Sequence, residues 1–279
     1  MTEPSAGSAW KGRSVLVTGG AGFLGRSLVQ TLCDYGARVV RLVRTASSEA
    51  NRSQFVAEHD RMATVYGQVE DYDFLEGLIS ESAAEVVFHL AAQAQVGAAK
   101  QNPRRTFETN IQGTWNLLEA IRQAARPIRV IIASSELAYG DSSELPYTED
   151  LPLGALSPYG VSKGCGELLG RAYHHTYGLS VCIARCSNLY GDGDLNFSRI
   201  VPGTIQSLLR GDPPVIRSNG RLVRDYLYIA DAVYAYLTLA EAMTKPSVSG
   251  EAFNFSSEQP VSVIEIVEKI SRLMGRQDL

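Results

Sequence analysis

One glycine-rich stretch constrains the fold of this chain more than any other part of its sequence. The apolar run at 14–18 leads into Gly19, Gly22 and Gly25, and apolar residues at helical spacing continue to Cys33. This pattern predicts a strand, a tight turn and a helix. A residue without a side chain allows the turn, lets a pyrophosphate approach the backbone, and lets the helix pack closely on the strand.

The helix that follows these glycines would direct the positive end of its dipole at the turn, where phosphate binds. The alternative is a tight connection that binds no ligand. The order of strand, glycine turn and helix favours the ligand, so the stretch predicts a dinucleotide site.

Predicted strands and helices alternate along the first two thirds of the chain. Strands are predicted at 14–18, 38–43, 62–66, 85–90, 129–133 and 179–184, and helices after the glycine turn, at 71–83, from Pro103 to residue 125, and from Pro158. This alternation predicts an α/β fold, a doubly wound parallel sheet with helices on both faces. Ligands of such sheets bind at the carboxyl ends of the strands.

The alternation loosens after residue 185, which divides the chain into parts. We predict a flexible arm at 1–12, an NAD(P)-binding domain at 13–185 and a smaller C-terminal substrate lobe at 186–279. Within the lobe, helices are predicted at 198–209, 230–243 and 262–274, and strands at 225–227 and 252–255.

Composition excludes several classes of function. The net charge of −4 gives no general attraction to nucleic acid or to an anionic membrane. No apolar run approaches the roughly twenty residues of a membrane span, and the polar first dozen residues do not form a signal peptide. The four cysteines show no metal-ligand spacing, so we predict no metal site, and reduced thiols predict a cytoplasmic protein.

Two further strand ends fall at the carboxyl edge of the predicted sheet. Many NAD-binding folds carry an acid after the second strand, where this chain has Val43 followed by Arg44. An exposed arginine there is solvated, meets a ribose phosphate or stacks on adenine, so the choice between NAD and NADP stays open. Ala91 and Ala92 end the fourth strand and would let a cofactor lie against it. His89, in that strand, is predicted to be a packed residue bonded to backbone.

The segment 157–163 predicts a chemically active pair at the start of a helix. Ser157 suits the N-cap and Pro158 the first helical position, which places Tyr159 and Lys163 four residues apart on one face. A phenol titrates at about 10. Because an ammonium and a helix N-terminus both favour the phenolate, we predict a lowered pKa for Tyr159 and a general base near neutral pH. Ser135, at the end of the fifth strand, completes a hydride-transfer centre.

Together these motifs resemble the extended short-chain dehydrogenase/reductase superfamily, in its nucleotide-sugar epimerase/dehydratase branch. The resemblance implies a Rossmann-type domain. Within the branch, the chain is most similar to the CDP-glucose 4,6-dehydratase group. It covers nearly the whole chain and rests on 18–25 (TGGAGFLG), 89–93 (HLAAQ), 109–114 (TNIQGT), Ser135, 159–163 (YGVSK), 188–191 (NLYG) and 224–228 (RDYLY).

The resemblance implies a role for each matching residue. Tyr159 takes the proton of a sugar hydroxyl, usually at carbon 4. Lys163 binds the nicotinamide ribose, Ser135 binds the same hydroxyl, and Asn188 and Arg224 face the nucleotide diphosphate, whose oxygens suit the arginine fork. A surface or interdomain ion pair with Asp225 or another acid is the alternative for Arg224. The residues predicted to contact NAD are Gly19, Gly22, Phe23, Leu24, Gly25, Arg44, Leu90, Ala91, Ala92, Asn110, Tyr159 and Lys163, and those predicted to contact substrate are Gln93, Ser135, Asn188, Arg199 and Arg224.

Two departures from the family pattern bear on the reaction. Dehydratases of this kind carry further acid/base residues directly after the serine; here Glu136 supplies an acid, but Leu137 stands where the relatives have glutamate or lysine. Leucine cannot transfer a proton, which disfavours dehydration. Relatives also continue beyond the position of Leu279, so the substrate lobe is either truncated or reduced.

The leading prediction is an NAD-dependent 4-epimerase of a nucleotide-diphosphate sugar, with NADP not excluded as cofactor. The alternatives are a CDP-glucose-like 4,6-dehydratase, an NADPH-dependent 4-ketosugar reductase, and a scaffold protein that only binds cofactor. The family pairs its subunits through the helices that here begin near Pro103 and Pro158, which predicts a homodimer.

Overall fold

A sheet of eight strands organises the larger part of the fold, in a computed structural model that describes residues 7–44, 56–142 and 144–279. The strands of the chain are β1 (Ser14–Thr18), β2 (Arg38–Val43), β3 (Val56–His59), β4 (Met62–Tyr66), β5 (Val86–His89), β6 (Arg129–Ser135), β7 (Ser180–Cys186), β8 (Asn188–Tyr190), β9 (Val223–Arg224), β10 (Tyr226–Tyr228), β11 (Ala252–Phe255) and β12 (Val261–Ser262).

The strand order of the large sheet is β11-β7-β6-β5-β1-β2-β4-β3. The pairs β1–β2, β1–β5, β2–β4 and β5–β6 are parallel, which confirms the predicted doubly wound sheet. The antiparallel edge strand β3 was not predicted. Its four residues carry no alternation of apolar and polar positions long enough to indicate a strand.

The helices are α1 (Phe23–Asp34), α2 (Tyr72–Ser82), α3 (Val96–Gln101), α4 (Pro103–Phe107), α5 (Gly113–Gln123), α6 (Pro158–Tyr177), α7 (Ile200–Arg210), α8 (Ile229–Ala242) and α9 (Val263–Leu273). The single helix predicted from Pro103 to residue 125 is wrong in one respect: a π-helical turn, Glu108–Gln112, separates α4 from α5. Polar side chains in that turn bond to neighbouring elements, an arrangement that helical periodicity alone does not reveal.

Side chains alternate between the two faces of the sheet and build a core on each. On one face, Leu16 and Val87 belong to a buried cluster with Leu75 and Leu117 of α2 and α5. On the other face, the ring of Phe88 lies 6.3 Å from that of Tyr236 in α8. Both faces of the strands are therefore covered, as expected for a parallel sheet.

The chain forms two compact units. The first comprises Met1–Arg185 and Val233–Asn254, and the second Cys186–Ala232 and Phe255–Leu279. The first division falls where the sequence pattern loosened, but the prediction of one lobe over 186–279 is wrong for 233–254. That segment carries Tyr236 and Ala240, whose fully buried side chains belong to the core of the first unit.

The N-terminal segment differs from the predicted flexible arm. Residues 1–6 lie outside the described residues, but Ser8–Trp10 form a short 3-10 turn and Trp10 is buried. Its indole Nε1 donates a hydrogen bond to Glu241 at 2.6 Å, and its ring lies 6.0 Å from that of Phe88. The indole therefore packs its apolar ring in the core while its N–H group keeps a hydrogen-bond acceptor.

The second unit is built from small sheets and two helices. Strands β8 and β10 pair in parallel, β9 and β12 pair antiparallel, and α7 packs against α9. Helix α9 begins with a capping box in which Ser262 and Glu265 each bond to the backbone of the other. Across the described ranges, no helix combines the length and the apolar character that crossing a membrane requires.

Candidate active site

The glycine turn after β1 has no room for side chains. Gly19 has φ of +71°, and a Cβ atom there would lie 2.8 Å from the backbone nitrogen of Ala91. A Cβ on Gly25 would overlap the carbonyl oxygen of Gly19. The turn is held by the Gly19 and Gly20 N–H groups, which donate to Leu42 at 3.1 and 3.3 Å.

Helix α1 begins directly after this turn, with Gly22 as its N-cap and with Phe23 and Leu24 in its first turn. The N-cap has no side chain, so backbone forms this end of the helix. Bare backbone at a helix N-terminus is the arrangement that binds a pyrophosphate. The residues present therefore fit the diphosphate of NAD, and a side chain at Gly19 or Gly25 would destroy that fit.

The neighbouring strand ends lie at the same edge of the sheet. Leu90 N donates to Thr18 O and Ala91 N to Thr18 Oγ1, both at 3.2 Å, so the segment after β5 is fixed beside the glycine turn. Ala91 and Ala92 are half-buried. Arg44 follows β2 and is exposed, in the place where an acid would hold the adenosine ribose.

His89 is buried at the end of β5, as predicted, but its partners are hydroxyls rather than backbone. Nδ1 lies 2.9 Å from Thr18 Oγ1 and Nε2 lies 3.0 Å from Thr114 Oγ1. Thr114 donates its own proton to the carbonyl of Asn110, so Nε2 must carry the donated proton and Nδ1 must accept. Burial, and then the charge of Lys163, lower the pKa of His89 from 6.5 to about 3, which keeps the ring neutral.

Asn110, in the π-helical turn, joins the segment after β5 to α6. Its Oδ1 accepts from Gln93 N at 2.7 Å, and its Nδ2 donates to Gln93 O at 3.2 Å and to Ser162 Oγ at 2.9 Å. Ser162 Oγ donates in turn to the carbonyl of Tyr159 at 2.7 Å. These bonds give Asn110 a role in fixing the first turn of α6; its predicted contact with cofactor stays a prediction.

The first turns of α6 carry the tyrosine and lysine on one face, as predicted. Ser157 accepts from Gly160 N at 3.2 Å and Pro158 occupies the first turn. Tyr159 is buried, and Lys163 Nζ lies 5.9 Å from the centre of its ring. Lys163 Nζ also donates to Ala133 O of β6 at 2.7 Å, which fixes the ammonium two residues before Ser135.

Ser135 begins a short segment that we call the serine turn, residues 135–138. Its Oγ accepts from Leu137 N at 3.3 Å, and Glu136 and Leu137 are half-buried in the 3-10 turn that follows. Gly160 lets this turn approach α6, since a Cβ there would overlap Leu137 O. The serine turn therefore packs on the helix at the residue next to Tyr159.

A buried ion pair beneath this turn was not predicted. Arg185 Nη2 lies 2.7 Å from Glu167 Oε2, and both side chains are almost inaccessible to solvent. The signal was present in the sequence: Glu167 follows Lys163 at helical spacing, and Arg185 stands inside an otherwise apolar strand. A charge at such a position needs a buried partner.

The predicted substrate residues divide between the two units. Gln93 belongs to the first unit, half-buried, and its side chain accepts from Gln95 N at 3.0 Å. Asn188, Arg199 and Arg224 belong to the second unit. Arg199 lies 3.3 Å from Asp194, and Asn188 Nδ2 donates to Asp225 O at 3.5 Å.

Arg224 is exposed and donates to its neighbour's carbonyl, Val223 O, at 2.9 Å. The alternative of an ion pair with Asp225 is not seen: that carboxylate accepts hydrogen bonds from Ser256 and Ser257 and from Gln259 N. In the described part of the chain, no group of three or more His, Cys, Asp or Glu side chains is placed to hold a metal ion.

Residues 15–255 match the NAD-dependent epimerase/dehydratase family. The CDP-glucose 4,6-dehydratase of Salmonella typhimurium is 30% identical over 279 residues, which cover 95% of this chain and 77% of that relative. These matches confirm the resemblance predicted from the motifs.

Solved structures agree in fold. The dTDP-glucose 4,6-dehydratase of Bacillus anthracis, in complex with NAD, superposes with a TM-score of 0.82 at 27% identity, covering 95% of this chain and 82% of that one. The UDP-glucose 4-epimerase of Thermotoga maritima, with UDP-glucose, gives 0.83 at 31% identity, covering 94% and 83%.

Gly25→Ala should weaken NAD binding strongly. The new methyl group would overlap backbone of the glycine turn, which must open to accommodate it, and we expect a loss of affinity of at least about 100-fold, about 2.7 kcal/mol. Titration calorimetry with NAD measures the loss. Gly77→Ala in α2 is the matched control, because its Cβ would meet open space. Wild-type affinity in Gly25→Ala would contradict a phosphate-binding role for the turn.

His89→Gln should flatten the acid side of the stability profile. The unfolded chain binds a proton at His89 as the pH falls below about 6.5, whereas the folded chain does so only near 3. The stabilisation from neutral His89 is therefore complete above 6.5 and lost at about 1.4 kcal/mol per pH unit below it.

Urea unfolding at pH 7.5, 6.0 and 5.0 measures this slope in wild type and variant. His175→Gln, at an exposed position of α6, should keep the wild-type slope. An unchanged slope in His89→Gln would show that the imidazole takes up its proton equally in both states.

Proposed function

Because the chain belongs to the NAD-dependent epimerase/dehydratase family, we propose that it is a 4-epimerase of a nucleotide-diphosphate sugar. Membership makes it an NAD-dependent enzyme, and its relatives include both 4,6-dehydratases and 4-epimerases. The observation that carries the choice is Leu137. Dehydration needs further proton-transfer groups beside the serine, and an apolar side chain at this position supplies none.

Tyr159 is the proposed acid/base group at the carbon 4 hydroxyl. The Lys163 ammonium and the N-terminus of α6 stabilise negative charge on the phenolic oxygen, so the oxygen can accept the hydroxyl proton and later return it. Ser135 is proposed to bind the same hydroxyl and orient it. When bound, NAD would supply a hydride acceptor and donor for carbon 4 of the sugar.

Most of the residues proposed to hold NAD lie at the carboxyl edge of the sheet. The glycine turn and the first turn of α1 take the diphosphate, and the small residues after β5 take the flat face of the cofactor. The proposed set is Gly19, Gly22, Phe23, Leu24, Gly25, Arg44, Leu90, Ala91, Ala92, Asn110, Tyr159 and Lys163. Gln93, Asn188, Arg199 and Arg224 are proposed to hold the nucleotide sugar, the arginines through its phosphates.

A 4,6-dehydratase is the second candidate, and Glu136 favours it. This carboxylate is half-buried beside Ser135 in the serine turn, where it can serve as one of the two groups that remove water. The curated relatives with that activity also support it. The missing second group at Leu137 places this candidate behind the epimerase.

Incubation with NAD and a panel of UDP-, CDP- and dTDP-hexoses should give a product of unchanged mass with inverted carbon 4, detected by mass spectrometry and NMR. Loss of one water would identify a dehydratase. Consumption of added NADPH with a 4-keto sugar would identify a reductase, which exposed Arg44 suits. Tight NAD binding without turnover of any sugar would leave a cofactor-binding scaffold.

Tyr159→Phe should lower kcat by at least about 100-fold, because the phenylalanine cannot exchange a proton. NAD affinity should survive within a fewfold. Tyr173→Phe removes a hydroxyl further along the same helix and should keep wild-type turnover. Retained turnover in Tyr159→Phe would remove the proposed base.

We also propose a homodimer formed through the helices that begin at Pro103 and Pro158, and a cytoplasmic location. Among the described residues the four cysteines form no disulfide with one another, and reduced thiols are typical of a reducing compartment. Exposed apolar side chains lie on α6 and on α5, which continues the predicted helix from Pro103 beyond the π-helical turn: Trp115 on α5 is 43% accessible and Leu168 on α6 is 61% accessible. Apolar groups of this size on neighbouring helices are typical of a surface that a second subunit covers.

Light scattering should give twice the 30.3 kDa mass of one chain. Leu168→Glu should shift the protein to the monomer, since a charge would be buried in the interface. Leu209→Glu, at an exposed position of α7 in the second unit, should leave the mass unchanged. A monomeric wild type, or a dimer that survives Leu168→Glu, would exclude this interface.

A further inference from the structure

The serine turn is flanked by two residues that bond to the same buried ion pair. Upstream, Ser134 Oγ donates to Glu167 Oε1 at 2.5 Å. Downstream, the hydroxyl of Tyr139 accepts from Arg185 Nη1 at 2.6 Å, and the guanidinium carbon lies 4.7 Å from the centre of the tyrosine ring. Residues 134 and 139 thus fix both ends of a segment that contains Ser135.

Three hydrogen bonds join the two charged side chains, one of them from Arg185 Nε to Glu167 Oε1 at 3.2 Å. Arg185 Nε and Nη2 donate to Glu167 Oε2 at 2.9 and 2.7 Å, and the two side chains are 2% and 0% accessible. Burial alone would lower the pKa of Arg185, but the hydrogen bonds and charge of Glu167 raise it above its ordinary value. The arginine is therefore charged, and a charged fork holds its acceptors in one plane.

A second set of bonds fixes the downstream end. The Tyr139 hydroxyl donates to Asn254 Oδ1 at 2.7 Å, and Arg185 Nη1 also donates to Glu149 O at 3.2 Å. Burial raises the pKa of Tyr139, with Arg185 acting in the opposite direction, so the phenol keeps the proton that it donates. The Tyr139 hydroxyl therefore has one defined donor, Arg185, and one defined acceptor, Asn254.

Stability alone does not account for this arrangement. Removing two charges from water costs several kcal/mol per ion, and well-packed apolar residues in their place are often neutral or stabilising. Apolar residues in place of the pair could not hydrogen-bond to the hydroxyl of Ser134 and to the phenol of Tyr139. Glu167 also lies on α6, the helix that carries Tyr159 and Lys163.

We propose that the Glu167–Arg185 pair positions Ser135 relative to Tyr159, by holding Ser134 and Tyr139 at fixed places against α6. The pair touches neither substrate nor cofactor in this role; it acts through the serine turn. The inference rests on the proposed function, in that Ser135 and Tyr159 act on one sugar hydroxyl.

Single-hydroxyl variants test this proposal without leaving a charge unpaired. Ser134→Ala releases the upstream end and Tyr139→Phe the downstream end, while Glu167 and Arg185 stay bonded to each other. We expect each to lower kcat about tenfold with KM and NAD affinity within about twofold, because misplacement of a reacting group by 1 Å costs up to about 100-fold. Tyr173→Phe is the control, since its hydroxyl also bonds to a carboxylate, Glu119, at 3.1 Å.

The double variant, Ser134→Ala with Tyr139→Phe, tests whether the two contacts act together through one ion pair or act separately. If one pair holds both ends, the turn is already released by the first substitution, and the loss in kcat should be clearly smaller than the product of the two single losses. Losses that multiply would show that the two ends act independently and would overturn the proposal. So would wild-type kcat in both single variants with only a lowered Tm.

A readout without turnover separates this inference from the proposed function. In protein with 13C-labelled tyrosine rings and NAD bound, the Tyr159 resonance, assigned from Tyr159→Phe, reports its titration. Ser134→Ala and Tyr139→Phe should move that titration toward a free phenol, whereas Tyr173→Phe should not. If wild type turns over no nucleotide sugar, the proposed function fails while a shifted titration still supports positioning; an unshifted titration overturns it.

Discussion

The hydrogen bond from Lys163 Nζ to the carbonyl of Ala133 joins the two elements on which the site depends. It fixes the helix that carries Tyr159 to the strand that carries Ser135, and it holds a positive charge where the tyrosine ring packs. Lys163 is half-buried, and removing an ammonium from water is costly unless it is bonded. The carbonyl therefore satisfies the cation and, through it, sets the helix on the strand.

Buried polar groups recur around this contact, and each fixes a different neighbour. His89 connects Thr18, next to the glycine turn, to Thr114 beyond the π-helical turn. Asn110 connects the segment after β5 to the first turn of α6. Apolar packing fills the two faces of the sheet, but these directional bonds fix the strand ends, where small displacements would matter for chemistry.

The sequence was sufficient to predict most strands and helices of the first unit and the sheet edge at which the strand ends meet, because glycine turns, helix caps and apolar periods are local signals. It was insufficient for contacts between distant residues. The π-helical turn around Asn110 and the return of Tyr236 to the first core depend on side chains far apart in the chain. The pairing of Glu167 with Arg185 is of the same kind: each charge was visible, but only the fold brings them together.

Gly160 allows the serine turn to pack closely on α6 because it has no Cβ atom. Its bare backbone lets the carbonyl of Leu137 approach α6 at the residue next to Tyr159. A chain that kept the tyrosine and lysine but carried a larger residue at the position of Gly160 would still show the same four-residue spacing. In such a chain the backbone at 137 would have to move away from α6, so the spacing of tyrosine and lysine alone does not establish that a serine turn packs beside them.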